Sequence, residues 1–312
     1  MTMASNIRVY QSASSHRKKL EGGLRRRGSF LKKTEPDKPL ITIITAVLNG
    51  MSHLEQTIQS VLNQGYDNIE YIIVDGGSTD GTLDIIRRYD DKIAYWLSEP
   101  DKGIYDAMNK GIVLSTGEIV GLINSDDYYE KGAIEQVVDA YRKYGVKNGT
   151  IIYGNYYILD EIINVKTELL SDLKFWKGMS ICHQAMFVTR DIYQTDSLYD
   201  TKLKYAADYA FLVNAIRTNV NFINTEKFLV TFRNVGATYN NVVSSYRESL
   251  SILRQHSGLF SKNFMMFFFF RFVKSIFVTV ARTSLNKFVS KDALARAKMF
   301  YNRLSRKTSY KV

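Results

Sequence analysis

The chain has 312 residues, a net charge of +11, three prolines and one cysteine, Cys182. That length can bury a large core as one domain with appendages or as two, and the abundant aromatics exclude a wholly disordered protein. One cysteine excludes an intramolecular disulfide or a thiolate zinc cluster, and it suits a reducing compartment.

Residues 1–38 carry +7 and residues 240–312 carry +12, which leaves −8 for the middle. An acidic centre between basic ends argues against nucleic-acid binding by the core. It favours flanks that meet an anionic surface, membrane lipid first. The polar, basic N-terminus shows no apolar signal-peptide core. Residues 1–38, with few apolar positions, read as a disordered basic arm.

Order is expected from Leu40. Ile41–Val47 is a β-branched run of the kind that forms a strand covered on both faces. Residues 52–64 have helical spacing, with Ser52 and Glu55 placed as a capping box. Ile69–Val74 is a second strand, followed by a helix over 82–89 and a short strand near Ile93–Leu97. A helix over 104–114, a strand from Ile119 to Ile123, a helix over 132–144 and a strand over Thr150–Ile158 complete an α/β pattern. This alternation predicts a mostly parallel sheet flanked by helices, with right-handed crossovers.

Residues 160–240 are less regular, with strand-like Ala185–Val188 and Phe228–Phe232 and a helix opening at Tyr205–Leu212. From Ser244 the pattern is helical and basic. Between Phe264 and Val280 the cations Arg271 and Lys274 fall, with Arg282, within an arc of roughly 80°. That pattern suits a helix lying in a membrane interface; packing on the catalytic domain is the alternative. The division read from sequence is 1–38, 39–240 and 241–312.

The chemistry concentrates where strands end. The strand from Ile119 closes in Asn124-Ser125-Asp126-Asp127, and two carboxylates at a strand's carboxyl end suit Mg²⁺ or Mn²⁺ bridging a diphosphate. A helix cap at Ser125 or Asp126 is the plainer reading. Asp75-Gly76-Gly77-Ser78 ends another strand. Its carboxylate could accept an imide N–H such as that of uracil while the glycines admit a close ligand, although Asp-Gly-Gly is also ordinary turn chemistry. Lys102 beside Gly103 could reach a phosphate or lie in solvent. Asp208 is a candidate base or a helix-terminus Asp. His183 is a site residue or a hydrogen-bonded structural group.

Taken in order, Thr45 and Asn49, Val74–Thr82, Glu99–Gly111, Asn124–Asp127, His183-Gln184 and Ala207–Tyr209 resemble family 2 glycosyltransferases, nearest the bacterial colanic-acid, capsule and O-antigen type. The resemblance spans about residues 40–240 and implies a GT-A fold, a nucleotide-diphosphate sugar donor (a UDP-sugar above all), Mn²⁺ or Mg²⁺, and inversion at the anomeric carbon. Carried over by position, Thr45, Asn49, Asp75, Gly76, Gly77, Ser78, Lys102, Gly103 and Asn124 belong to the donor side. His183 and Gln184 then fall on the acceptor side, Asp126 and Asp127 at the metal, and Asp208 as catalytic base.

Three positions depart from the family pattern. Asn124 replaces the first Asp of Asp-x-Asp, Leu48 stands where a base-stacking Tyr is usual, and Val235-Gly236-Ala237-Thr238 replaces the late glycine loop. The expected enzyme extends a polyprenyl-diphosphate-linked oligosaccharide for bacterial surface polysaccharide, in the cytoplasm at the inner face of the cell membrane. An anionic membrane surface is then a partner, and nucleic acid is not. The alternatives are a sugar-nucleotide pyrophosphorylase or a non-enzymatic membrane or nucleic-acid adaptor.

Overall fold

The structure is a computed structural model that describes residues 19–146, 148–173, 181–194, 198–234, 241–255, 273, 290–304 and 308–311. In chain order the strands are β1 (Leu20–Gly22), β2 (Ile41–Val47), β3 (Ile69–Asp75), β4 (Tyr95–Ser98), β5 (Ile119–Asn124), β6 (Tyr128–Tyr129), β7 (Thr150–Asp160), β8 (Val165–Leu169), β9 (Met186–Thr189), β10 (Asn221–Arg233) and β11 (Ser309–Lys311). The helices are α1 (Leu54–Leu62), α2 (Thr82–Arg88), α3 (Ile104–Leu114), α4 (Ala133–Tyr144), α5 (Arg190–Gln194), α6 (Ala207–Arg217), α7 (Val242–Gln255) and α8 (Lys291–Leu304).

These strands join one sheet in the order β1-β4-β3-β2-β5-β9-β7-β10-β6, with β8 on β7 and β11 on β8. The four strands β4, β3, β2 and β5 run parallel. Their carboxyl ends therefore share one edge, and each delivers a loop to it. Every residue of β2 is buried. Ile41, Ile43 and Val47 pack with α1, α2 and α4, while Ile44 and Ala46 pack with α3 and α6. This period-two split explains why the run carries apolar residues on both faces.

The beginning of the chain departs from the sequence reading. Residues 19–38 are not a loose tail: β1 pairs antiparallel with β4. The Arg25 guanidinium forms an ion pair with the fully buried Glu70 and donates to the Leu114 carbonyl at 2.7 Å. Glu70 also accepts from the Thr42 hydroxyl at 2.6 Å and the Thr116 amide at 2.7 Å. Part of the basic arm is thus a latch across the parallel sheet.

Smaller differences follow from tertiary context. Helix α1 begins after His53 with no side-chain cap, so Ser52 caps nothing. After Asp127 the chain enters β6, paired with β10, and no helix for Ser125 or Asp126 to cap. β10 is longer than its apolar core suggested because Asn221–Asn224 pair with Thr150–Tyr153.

The described parts of the C-terminal segment, α7 and α8, contact the sheet domain. Ile252 and Leu253 of α7 meet Tyr209 and Val213 of α6, and Ala295 of α8 packs against Ile163 and Val165. The amphipathic stretch Phe264–Val280 lies outside the described residues except Val273. Among the described residues no helix is long and apolar enough to cross a membrane.

Candidate active site

A cleft of about 690 Å³ opens along the carboxyl edge of the parallel strands. Its lining includes Val47 to Gly50 from the end of β2, Asp101 and Gly103 after β4, Asn124 to Asp126 from the end of β5, the Cys182-His183-Gln184 segment, and Asp208 at the start of α6. Tyr156, Ile158 and Phe232, from the neighbouring strands β7 and β10, add an apolar wall.

The turn after β5 separates two adjacent carboxylates. The Thr57 hydroxyl donates to the carbonyls of Ser125 and Asp127, at 2.9 and 2.7 Å, and so pins the turn to α1. Asp126 lines the cleft. Burial pushes its pKa up, against the pull of His53, Arg233 and His183. Asp127 points inward and is fully buried. Its oxygens accept from the Arg233 amide at 2.8 Å and from Gln184 Nε2 at 2.6 Å. Burial, then the charge of Asp126, raise its pKa well above the ordinary carboxylate value. Of the Asp126-Asp127 pair expected to hold a metal, Asp126 lines the cleft and Asp127 braces the turn.

Arg233 is the main support of that turn. Its guanidinium donates to the Asp126 carbonyl, to Gln56 and, at 2.6 Å, to Glu161. It also lies over the Tyr128 ring, 5.0 Å from the centroid.

On the opposite wall, Asp208 Oδ1 accepts from the Tyr105 hydroxyl at 3.0 Å and the Tyr209 amide at 2.8 Å. Its Oδ2 lies 3.2 Å from His183 Nδ1. Burial acts to raise the Asp208 pKa, but His183, the Tyr209 amide and Tyr105 outweigh it, and the net shift is downward. Its apolar neighbours Ala206, Ala207 and Phe211 would by burial alone raise it, and these donors reverse the sign. Glu248 of α7 secures the approach to α6 by accepting from the amides of Lys204, Tyr205 and Ala206 at 3.0, 2.8 and 3.0 Å.

Of the residues singled out from sequence, Asn49, Gly103, Asn124, Asp126, His183, Gln184 and Asp208 share the cleft. Thr45 does not; it is fully buried and hydrogen-bonded to the Tyr71 hydroxyl at 3.0 Å. Asp75 is also fully buried, and its carboxylate closes its own turn. It accepts from the Gly77 amide at 3.2 Å, from the Ser78 amide and hydroxyl, and from the Ser98 hydroxyl at 2.6 Å. Asp75 thus supports the turn that follows β3. Gly76, Gly77 and Ser78 belong to that turn, and Asp101 sits so close to Gly76 that a Cβ there would come within 2.5 Å of its Oδ2. Lys102 is exposed and outside the cleft lining.

Sequence reasoning missed His53, Tyr105, Asp101, Arg233 and Glu248. For Arg233 one signal existed: a cation ending an apolar strand has to find partners.

The sequence profile described as Glycosyl transferase family 2 matches residues 42–195. An uncharacterized glycosyltransferase of Mycobacterium tuberculosis is 32% identical over 184 residues, which cover 57% of this chain and 69% of that relative. The chain belongs to glycosyl transferase family 2.

A second relative of this glycosyltransferase is a PGL/p-HBAD biosynthesis glycosyltransferase of Mycobacterium bovis. It is 30% identical over 178 residues, 55% of this chain and 68% of the relative. Among solved structures, TarS 1-349 of S. aureus in complex with UDP aligns at a TM-score of 0.52 and 16% identity, over 68% of this chain and 65% of TarS. The mannosyltransferase PcManGT of Pyrobaculum calidifontis, in complex with GDP-Man and Mn²⁺, aligns at 0.58 and 13%, over 89% and 85%. These likenesses show a GT-A fold, the one implied by the resemblance. Family membership sets aside the pyrophosphorylase and the adaptor.

Proposed function

We propose that this family 2 glycosyltransferase moves one sugar, with inversion, from a nucleotide-diphosphate donor to the hydroxyl of a lipid-linked oligosaccharide. The observation that carries the reading is that Asp126, after β5, and the Asp208–His183 pair line the same cleft. One side suits a departing diphosphate and the other an incoming alcohol.

Among the described residues no three His, Cys, Asp or Glu side chains come together as a metal cage. Mg²⁺ or Mn²⁺ does not need one, since such ions commonly take one or two carboxylates and complete their shell with phosphate oxygens and water. Asp126 fits that part. So does Asn124, whose Oδ1 is buried without a hydrogen-bond partner among the described residues. The ion, when bound, supplies positive charge for the leaving diphosphate. Asp127, Thr57 and Arg233 hold Asp126 at the cleft, and the Asp208–His183 pair receives the acceptor's proton as its oxygen attacks the anomeric carbon.

UDP-sugars are the first donors to test, and GDP- and TDP-sugars the comparison. Work at the inner face of the cell membrane, in making bacterial surface polysaccharide, is supported by the +12 charge of residues 240–312 and by exposed Phe300 and Tyr301 on α8. A thermal-shift screen of nucleotide sugars with and without Mn²⁺ tests the donor class, because ligands that bind only the folded state raise its Tm. Asp126→Ala is expected to abolish the Mn²⁺-dependent part of that rise, by at least about tenfold in nucleotide affinity. An unchanged Mn²⁺ response would remove Asp126 from the metal.

A further inference from the structure

The two ring nitrogens of His183 stand in different surroundings. Nδ1 lies 3.2 Å from Asp208 Oδ2. Nε2 is buried and has no hydrogen-bond partner among the described residues, although His183 lines the cleft. When Nδ1 carries the proton that Asp208 accepts, Nε2 keeps a lone pair. A buried lone pair without a donor costs free energy unless a ligand supplies one.

Asp208 is in the opposite condition. Tyr105 and the Tyr209 amide donate to Oδ1, and His183 faces Oδ2, so both oxygens have partners. These donors hold its pKa down despite burial. Such a carboxylate stays ionised readily and accepts a proton poorly.

We infer that His183 Nε2 takes the proton of the acceptor hydroxyl, and that Asp208 is the positioning residue that orients the ring and stabilises the imidazolium. The inference rests on the transfer reaction proposed above. The acceptor oxygen forms its bond to the anomeric carbon while the bond from that carbon to the diphosphate oxygen breaks. The electron pair leaves with the diphosphate, and the hydroxyl proton passes to Nε2. Nothing further is consumed.

The groups around the ring agree with this role. Asp208 from α6 faces Nδ1, and Tyr105 from α3 holds Asp208 from behind. Asp126, on the turn after β5, feels the charge of His183. On the imidazole's own segment Cys182 is occupied by the Gln184 side chain. A ligand role for Nε2 on Mg²⁺ or Mn²⁺ is disfavoured, because these hard ions favour oxygen donors over imidazole.

Chemical rescue of the full chain tests the inference. His183→Ala should lower kcat by about 10²–10⁴-fold while the donor-induced rise in Tm persists. Added imidazoles should restore at least about tenfold of that loss, with rates that increase with imidazole basicity. His183→Gln can still donate to Asp208 but cannot accept a proton, and it should be as slow as the alanine variant. It also serves if His183→Ala does not fold.

A loss below about tenfold in His183→Gln overturns the inference and returns the proton to Asp208. Recovery of His183→Gln at saturating Mn²⁺ also overturns it, in favour of a metal ligand. If the wild type itself transfers sugar from no donor, the proposed function fails instead, so the two failures are distinguishable.

Discussion

Asp208→Asn is expected to cut turnover by about 10²–10⁴-fold while donor affinity stays at the wild-type value. An amide of the same shape presents an N–H where the ring of His183 needs an acceptor. The imidazole would then turn its lone pair toward residue 208 and no longer keep it on Nε2. Because Asp208 is set among Tyr105, the Tyr209 amide and His183, the change reaches kcat without touching the donor side near Asn49 and Asp126. Single-turnover transfer and nucleotide titration separate the two quantities, and retained turnover would remove the Asp208–His183 pair from the chemistry. The pair also carries a stability term of definite sign. Held below the usual carboxylate range, Asp208 stabilises the fold above that range, and the contribution is lost as pH falls through its lowered value. The same variant should therefore unfold with a weaker pH dependence on the acid side.

Arg25→Met should destabilise the fold by about 3–5 kcal/mol, because it leaves Glu70 charged, buried and without its cation. Glu70 is fully buried, and its remaining partners, Thr42 and Thr116, supply hydrogen bonds but no charge. Urea unfolding measures the loss as a lower midpoint at unchanged slope. Adding Glu70→Gln should recover much of it, since the two sites share one interaction and cannot behave additively. If Arg25→Met unfolds at the wild-type midpoint, the latch contributes nothing and residues 19–38 are the idle tail their composition suggests.

That composition misled for a physical reason. Residues 19–38 have little apolar surface, and disorder is the usual outcome for such a stretch. Here the polar groups are spent on distant partners: Arg25 on Glu70 and Leu114, and Lys32 on the Asp67 carbonyl at 2.5 Å. No window of neighbouring residues contains those pairings. The central strands, by contrast, were legible because burial on both faces writes itself locally as β-branched runs, and the helix over 104–114 because Pro100 and Gly103 mark the loop before it.

At the site, the strand ends were legible as places, but not the direction in which each carboxylate turns. Asp126 and Asp127 are adjacent and chemically alike. Only Gln184 and Arg233, 57 and 106 residues away, decide that Asp127 faces inward. Asp75 was read as free because the sequence shows Ser78 as a neighbour and not as its hydrogen-bond donor. Both His183 and Asp208 stood out, but not their contact, since the intervening chain is irregular and sets no register between them.

The strand β1 has a practical consequence. It lies along β4, the last strand of the parallel set, and covers the row of amides and carbonyls from Trp96 to Ser98. A shortened enzyme beginning at residue 39 would expose that row. An open strand edge recruits strands from other molecules. Poor yield or clumping of such a fragment would then report a missing cover on the sheet and not a defect in catalysis, and preparations for assay are best kept with their first forty residues in place.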